Sequence, residues 1–222
     1  MEKKKTNKRS LLRFATGVGI FSALAYVVSV ICSVIPKVAG FLSIDAKDAV
    51  IAIASFVYGP VAAIILAFIP SLIELVSVSG TGFWGFVMNF ASSACFGFTA
   101  SIIYKYKRSL NGAIIGLLAA VISTTALMML LNLFITPIYF GVSREEVISI
   151  LPSILLPFNF AKSLMNAAIT MLIYKPVSAA LKSAHLIDGK LDLRFNRQSV
   201  IMLVVGNVLL IVAIVIFIIL NL

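Results

Sequence analysis

One short stretch of the chain combines polar side chains with an apolar setting. Asn159 and Lys162 lie three residues apart within an apolar run from Ile150 to Tyr174. On a helix, that spacing places the amide and the ammonium on one face. A lysine at the centre of a membrane costs about 2.5–3.5 kcal/mol on translocon insertion scales. Lys162 therefore needs an anionic partner, a water-filled cavity or a ligand.

The composition indicates that this run lies in a membrane. Of the 222 residues, 61% are hydrophobic and only 12% are charged, and the mean hydropathy is +1.13. A soluble domain is normally about half apolar and a quarter charged. The apolar runs are also too long for the strands of a membrane barrel. The sequence therefore predicts an all-α integral membrane protein.

Seven apolar runs organise the chain. They cover approximately residues 11–35, 49–58, 61–78, 83–106, 111–139, 150–174 and 200–222. The second and third runs are each short for a crossing of about 20 residues. We expect residues 45–59 to form one helix with Asp45 and Asp48 in its first turn, where carboxylates suit the helix dipole. A tight turn at Gly59-Pro60 then leads into the third helix, although one long helix kinked at Pro60 is an alternative.

These runs divide the chain into four parts. They are a basic tail (1–10), a six-helix membrane domain (11–182), a basic linker (183–199) and a seventh membrane helix (200–222).

The positive charges lie on one side of the apolar runs. Fourteen of the 18 Lys and Arg residues fall in the tail with Arg13, in the loop from Lys105 to Arg108, or in the stretch 175–197. The loops on the other side contain only Lys37, Lys47 and Arg144. This is the positive-inside pattern, and it predicts a cytoplasmic N-terminus and an external C-terminus. The net charge of +10 thus follows from topology. The chain has no basic patch interleaved with aromatic residues, so we expect no nucleic-acid partner.

Polar side chains within the runs fall at one depth. With this topology, four helices place an amide or a charged group in the outward half of the bundle. These residues are Glu74, Asn89, Asn132, Asn159 and Lys162, and the aromatic residues at the same depth are Phe83, Trp84, Tyr139 and Phe158. Such a layer suits a flat polar ligand, because rings can stack on it while amides and an ammonium bind its edges. The alternative is that the amides join helices and that Glu74 pairs with Lys162.

Small residues form a second pattern in the first run. Ala15, Gly19 and Ala23 recur at intervals of four, which lets another helix approach closely. That helix belongs either to the same chain or to a partner subunit.

The sequence lacks the motifs of the common membrane-associated enzymes. It has no phosphate-binding loop and no metalloprotease or hydrolase motif, so we expect neither an ATPase nor another enzyme. Cys32 and Cys95 show no metal-ligand spacing, so they predict neither a zinc site nor a disulfide framework. We also expect no metal and no cofactor.

Several motifs together resemble the substrate-binding (S) components of energy-coupling factor (ECF) vitamin transporters. They are the small-residue stripe, Leu42-Ser43-Ile44-Asp45, Tyr58-Gly59-Pro60, Asn89-Phe90, Asn132 with Pro137-Ile138-Tyr139, and the run from Leu156 to Lys162. The resemblance covers about residues 11–182 and is greatest to the riboflavin-specific members. Those proteins have six helices, so the run 200–222 is additional.

The resemblance implies a membrane subunit that captures a vitamin with high affinity. Such a subunit of an ECF-type ABC importer lies in a bacterial cell membrane, binds riboflavin from outside, and works with a transmembrane coupling subunit and two ATPase subunits. In the riboflavin-specific members, positions corresponding to Asn132, Asn159 and Lys162 hold the isoalloxazine ring.

Further site residues follow from the same resemblance and from the polar layer. The first outer loop closes over the ligand in that family, which implicates Phe41, Leu42 and Asp45, while Asn89 and Trp84 complete the expected site. The stripe of Ala15, Gly19 and Ala23 would dock the coupling subunit. Two other functions stay open: capture of another metabolite, such as pantothenate or a modified base, and an intramembrane enzyme or scaffold that uses Glu74 and Lys162.

Overall fold

The computed structural model shows a bundle of helices and describes residues 2–78, 80–183 and 197–221. The helices are α1 (Glu2–Cys32), α2 (Lys47–Tyr58), α3 (Pro60–Ser77), α4 (Gly82–Tyr106), α5 (Leu110–Phe140), α6 (Arg144–Ile150), α7 (Leu156–Ser183) and α8 (Arg197–Asn221), with a π-helical turn at Leu151–Leu155 before α7. Within the described residues, the only sheet-like pairing is an isolated bridge between Val38 and Leu42. The predicted all-α membrane fold with an additional C-terminal helix is confirmed.

Among the described residues, six segments are long and apolar enough to cross a membrane. They are Leu11–Cys32, Pro60–Ser77, Gly82–Tyr106, Leu110–Phe140, Arg144–Val177 and Ser199–Asn221. Many large apolar side chains on these helices are exposed, among them Ile122 and Val76. Lipid tails would cover such residues, because a membrane protein needs no polar exterior at that depth.

Helix α2 is the central element of the bundle. It has only 12 residues, but the nine from Lys47 to Ser55 are all buried, because α1, α3, α4 and α7 all pack against it. A helix enclosed by protein can begin with charged residues, since their partners come from the surrounding helices rather than from water. This position explains how a short helix with a polar start can lie within a membrane domain.

The turn between α2 and α3 has the expected form. Gly59 adopts a φ of +93°, a conformation that glycine tolerates and other residues rarely adopt. Pro60 takes the first position of α3, where its missing N–H costs no hydrogen bond. The prediction of two helices joined by a tight turn is therefore confirmed over a single kinked helix.

Several predicted boundaries differ from the structure. α1 begins at Glu2 within the predicted tail and ends at Cys32 rather than residue 35. Asp45 precedes α2 instead of lying in its first turn, which holds Asp48. The residues from Arg144 to Glu146 begin a short helix rather than a loop, because the Ser143 hydroxyl accepts a hydrogen bond from the N–H of Glu146 at 3.2 Å and caps it. Residues 184–196 of the predicted linker, and Leu222, lie outside the described residues.

Candidate ligand-binding site

A cavity opens between α4, α5, α7 and the segment 41–43. It has about 750 Å³ of empty space, part of which is open solvent. The side chains and backbone that line it are those of Phe41, Leu42, Ser43, Thr81, Trp84, Gly85, Met88, Asn89, Ser92, Met128, Asn132, Thr136, Tyr139, Phe140, Phe158, Asn159 and Lys162.

The structure brings most of the predicted site residues together around this cavity. Seven of the eight line it: Phe41, Leu42, Trp84, Asn89, Asn132, Asn159 and Lys162. The eighth, Asp45, is not a lining residue but binds the ammonium of Lys162. Of the predicted aromatic residues, Tyr139 and Phe158 also line the cavity, whereas Phe83 is 61% exposed on the surface.

Lys162 has an anionic partner as well as a cavity. Its Nζ lies 2.7 Å from Oδ2 of Asp45, and both side chains are largely buried. Asn166 fixes the backbone around this pair: its amide nitrogen donates to the carbonyl oxygens of Asp45 at 2.9 Å and Lys162 at 3.0 Å. Its amide oxygen accepts from the N–H of Ala49 at 2.9 Å. The start of α2 is thus tied to α7 directly behind the cavity.

A second buried ion pair lies next to the first. Nζ of Lys47 is 2.6 Å from Oε2 of Glu74, and the amide of Asn89 donates to the same carboxylate oxygen at 3.4 Å. The alternative in which Glu74 pairs with Lys162 is therefore wrong. Lys47, which the sequence pattern places among the charges of the outer loops, is the first residue of α2 and is only 1% exposed.

The amides on α5 and α7 retain unused hydrogen-bonding capacity. Asn132 donates to the carbonyl of Met128 at 2.7 Å and accepts from the hydroxyl of Thr136 at 2.9 Å. Asn159 donates to the carbonyl of Leu155 at 2.7 Å, and its amide oxygen has no hydrogen-bond partner among the described residues. An amide nitrogen can donate twice, so each side chain can also bind a ligand edge.

Lys162 has spare donors too. An ammonium can donate three hydrogen bonds, and Asp45 is the one hydrogen-bond acceptor that the described residues provide for it. The cavity therefore combines amide donors, a free amide oxygen, an ammonium and aromatic rings. Among the described residues, no group of three His, Cys, Asp or Glu side chains could hold a metal ion.

Sequence reasoning missed several lining residues that helical periodicity could have found. Gly85 and Ser92 lie four residues before and three after Asn89, and Met128 and Thr136 lie four residues on either side of Asn132. Residues at these spacings share a helix face. Ser43 belongs to the outer segment around Phe41 to Lys47 that the family resemblance implicates, whereas Thr81, in another loop at the cavity, has no such signal.

The small-residue stripe faces away from the rest of the chain. Ala15, Gly19 and Ala23 are exposed. Apart from Gly19, its chain neighbours and the nearby backbone of α1, no described atom lies within 4 Å of where a Cβ at Gly19 would be. The opposite face of α1, with Val18 and Phe21, is buried in the core shared with α2 and α3. The stripe therefore does not pack against a neighbouring helix of the described chain.

The comparison with known protein families agrees with this architecture. The chain belongs to the family of substrate-specific components of ECF transporters, whose family model matches residues 13–174. It is thus a multi-pass membrane protein of a transporter family.

The alignments with individual relatives cover most of the chain. It is 32% identical to the riboflavin transporter RibU of Staphylococcus aureus (strain TCH60), over 81% of this chain and 97% of that protein. It is 28% identical to the riboflavin transporter FmnP of Bacillus subtilis (strain 168), over 76% of this chain and 95% of that protein. A solved structure of the S component of a bacterial ECF transporter superposes with a TM-score of 0.67 at 31% identity, covering 78% of this chain and 99% of that one.

Proposed function

We propose that this chain captures riboflavin, or a close flavin, as the substrate-binding subunit of an ECF importer. The observation that carries the proposal is the cavity in which Asn132, Asn159 and Lys162 meet Trp84 and Tyr139. A flavin ring is flat, apolar on its faces and polar along one edge, so it needs aromatic neighbours and a few placed hydrogen-bonding groups. The similarity to two proteins that are named riboflavin transporters supports this assignment.

Each group has a specific role in this proposal. Lys162 donates to a carbonyl oxygen of the ring, while the Asn159 and Asn132 amides bind the neighbouring ring edge. Phe41 and Leu42 contribute from the segment that covers the cavity, and Asp45 holds Lys162 in position. Binding requires little reorganisation of the ion pair, because Lys162 can keep its bond to Asp45 while it donates to the ligand.

The exposed stripe on α1 supports docking to a partner helix. We assign it to a transmembrane coupling subunit, which works with two ATPase subunits to power uptake. Small residues allow close backbone approach, which is how helices associate in lipid without a hydrophobic driving force. The excess of Lys and Arg in the tail, the loop after α4 and the stretch after residue 174 supports a cytoplasmic N-terminus, with the cavity open to the outside.

The ion pairing argues against the intramembrane enzyme. Glu74 and Lys162 are bound to Lys47 and Asp45 respectively, so they do not form the acid–base pair which that alternative requires.

Purification in detergent tests the proposed function. We expect the protein to carry a yellow ligand with flavin absorbance or, when stripped, to quench riboflavin fluorescence at one ligand per chain. Pantothenate should not displace the flavin. Saturable binding of pantothenate with none of riboflavin would instead support another member of the same transporter class, and binding of neither would contradict the proposal.

A further inference from the structure

Helix α8 lies outside the part of the chain that the family model matches. That match ends at residue 174, whereas α8 begins at Arg197. The S. aureus relative is covered over 97% of its length by 81% of this chain, so about a fifth of this chain has no counterpart there. The role of α8 therefore has to be sought in its own contacts.

Contacts along its length hold α8 against α7. Nζ of Lys175 donates to the hydroxyl of Ser199 at 2.9 Å. Further along, Gly206 lets the two helices approach closely, because a Cβ there would lie 3.1 Å from the Leu172 side chain and 3.3 Å from the carbonyl oxygen of Ala168. The two helices run antiparallel, which brings the C-terminal end of α8 to the cavity.

At that end, Phe217 packs behind the wall of the cavity. Its ring lies 5.9 Å from the ring of Phe158, centroid to centroid, at an angle of 61°. Both residues are buried, at 8% and 3% exposure. Phe158 lines the cavity beside Asn159, whereas Phe217 is not a lining residue. Phe217 can therefore influence the site only through Phe158 and its neighbours.

The same cluster includes residues of the segment 38–44, in which Phe41, Leu42 and Ser43 line the cavity. Val38 is buried with Phe158 and Phe217, and Leu42 and Ile44 pack against this cluster. The N–H of Val38 donates to the carbonyl of Leu42 at 2.9 Å, and the N–H of Leu42 donates back at 3.0 Å. A single apolar cluster thus joins α8, the start of α7 and the segment 38–44.

The start of α7 particularly needs such support. The π-helical turn Leu151–Leu155 precedes it, and Pro152 and Pro157 supply no backbone N–H to the helix. π-Helical turns are rare and interrupt the regular hydrogen-bond ladder. The backbone alone therefore constrains Phe158 less than a regular helix would, and packing from behind matters more.

We propose that α8 is a positioning element for the ligand site, with Phe217 holding Phe158 and the segment 38–44 in the geometry that binds ligand. The proposal rests on the proposed function of the cavity. Removing the Phe217 ring would leave space behind Phe158, and a core rarely closes such a space completely. The wall would then move outward more easily, and a bound flavin would leave sooner.

Flavin dissociation from three variants tests this role. We expect Phe217→Ala to release riboflavin about 10-fold faster and to lose affinity by a similar factor, whereas Phe217→Leu, which refills most of the space, should stay within about 3-fold of wild type. Ile218→Ala is the matched control, because the neighbouring side chain on α8 is 55% exposed. A lower melting temperature with an unchanged dissociation rate would show a purely structural role and overturn the proposal.

Hydrogen exchange on the ligand-free protein gives an independent answer. In Phe217→Ala, peptides covering residues 38–44 and 151–160 should exchange faster than in wild type, while those of α3 stay unchanged; equal exchange in all of them would overturn the proposal. If wild type binds no riboflavin, the proposed function fails, yet exchange still decides the role of Phe217. Should the alanine variant not fold, Phe217→Val replaces it with the same expectations.

Discussion

At the scale of single residues, the site depends on how two lysines and two carboxylates pair. Lys162 binds Asp45 beside the cavity, and Lys47 binds Glu74 behind Asn89. Removing one partner of a buried ion pair typically costs about 3–5 kcal/mol, because the other charge stays buried without compensation. Lys162 therefore stabilises the bundle through its ion pair, and in the proposed function it also binds the ligand. The two roles can be separated.

A double substitution separates them. Lys162→Met should lower the melting temperature in detergent, because it leaves the Asp45 carboxylate without its cation, and it should also weaken riboflavin binding. Adding Asp45→Asn removes the unpaired charge, so stability should return towards wild type while affinity stays low. If the double variant binds riboflavin with nearly wild-type affinity, Lys162 does not contact the ligand.

The sequence predicted which polar residues meet but not how they pair. Depth along the apolar runs was enough to place Asn89, Asn132, Asn159 and Lys162 in one layer. The pairing depends on the residue at which α2 begins. Because α2 begins at Lys47, the Lys47 side chain points into the bundle and binds Glu74. Asp45, which precedes the helix, binds Lys162 instead. A shift of one or two residues at a helix start is beyond what residue patterns resolve.

At the scale of elements, α1 has two faces with different tasks. One face packs into the core through Val18 and Phe21, and there Gly17 lies so close to Tyr58 that an added Cβ would collide with its hydroxyl oxygen. The other face carries Ala15, Gly19 and Ala23 and is exposed. Two glycines one half-turn apart therefore offer a matched pair of substitutions.

Enlarging each glycine should give opposite results. Gly19→Leu is expected to abolish riboflavin uptake by cells while the purified protein binds riboflavin with affinity within about 2-fold of wild type, because the added side chain blocks only a partner helix. Gly17→Leu should instead lower the melting temperature by clashing with Tyr58. Normal uptake by Gly19→Leu would show that the stripe does not dock the coupling subunit.

The sequence revealed the stripe but left open what it contacts. A four-residue spacing of small residues is the same whether the neighbouring helix belongs to this chain or to another. The packing of α2 and α3 against the opposite face of α1 shows that the helices of this chain that pack on α1 do not contact the stripe. The short length of α2 was similarly visible in the sequence, whereas its enclosure by four helices was not.

At the scale of the whole molecule, α8 leaves the proposed docking face free. α8 packs on α7, whereas α1 packs on α2 and α3. An extra helix can therefore be added to the family fold at one side of the bundle without covering the stripe at the other. The proposed orientation of the bundle in the membrane rests on the charges, because the tail with Arg13 and the loop between α4 and α5 carry most of the described basic residues outside the core.

Cysteine labelling tests that orientation. In a protein with Cys32 and Cys95 replaced by alanine, a single cysteine at Glu145 should react with a membrane-impermeant maleimide on intact cells. A cysteine at Asn111, which is exposed at the opposite end of α5, should react only after the membrane is permeabilised. Neither substitution removes a basic residue, so the charge asymmetry is kept. The reverse labelling pattern would overturn the proposed topology.

The central claim, that the cavity is the flavin site, is tested most directly by riboflavin titration of two asparagine variants. Asn159 and Asn207 both donate to a carbonyl four residues earlier, at 2.7 and 2.8 Å, but Asn159 lines the cavity and Asn207 is exposed on α8. An unpaired buried polar group costs about 1–3 kcal/mol, so Asn159→Ala should weaken riboflavin binding about 5- to 150-fold. Asn207→Ala should leave the affinity unchanged. Equal affinities for both variants and wild type would contradict the account, because a flavin in this cavity has to meet the amide of Asn159.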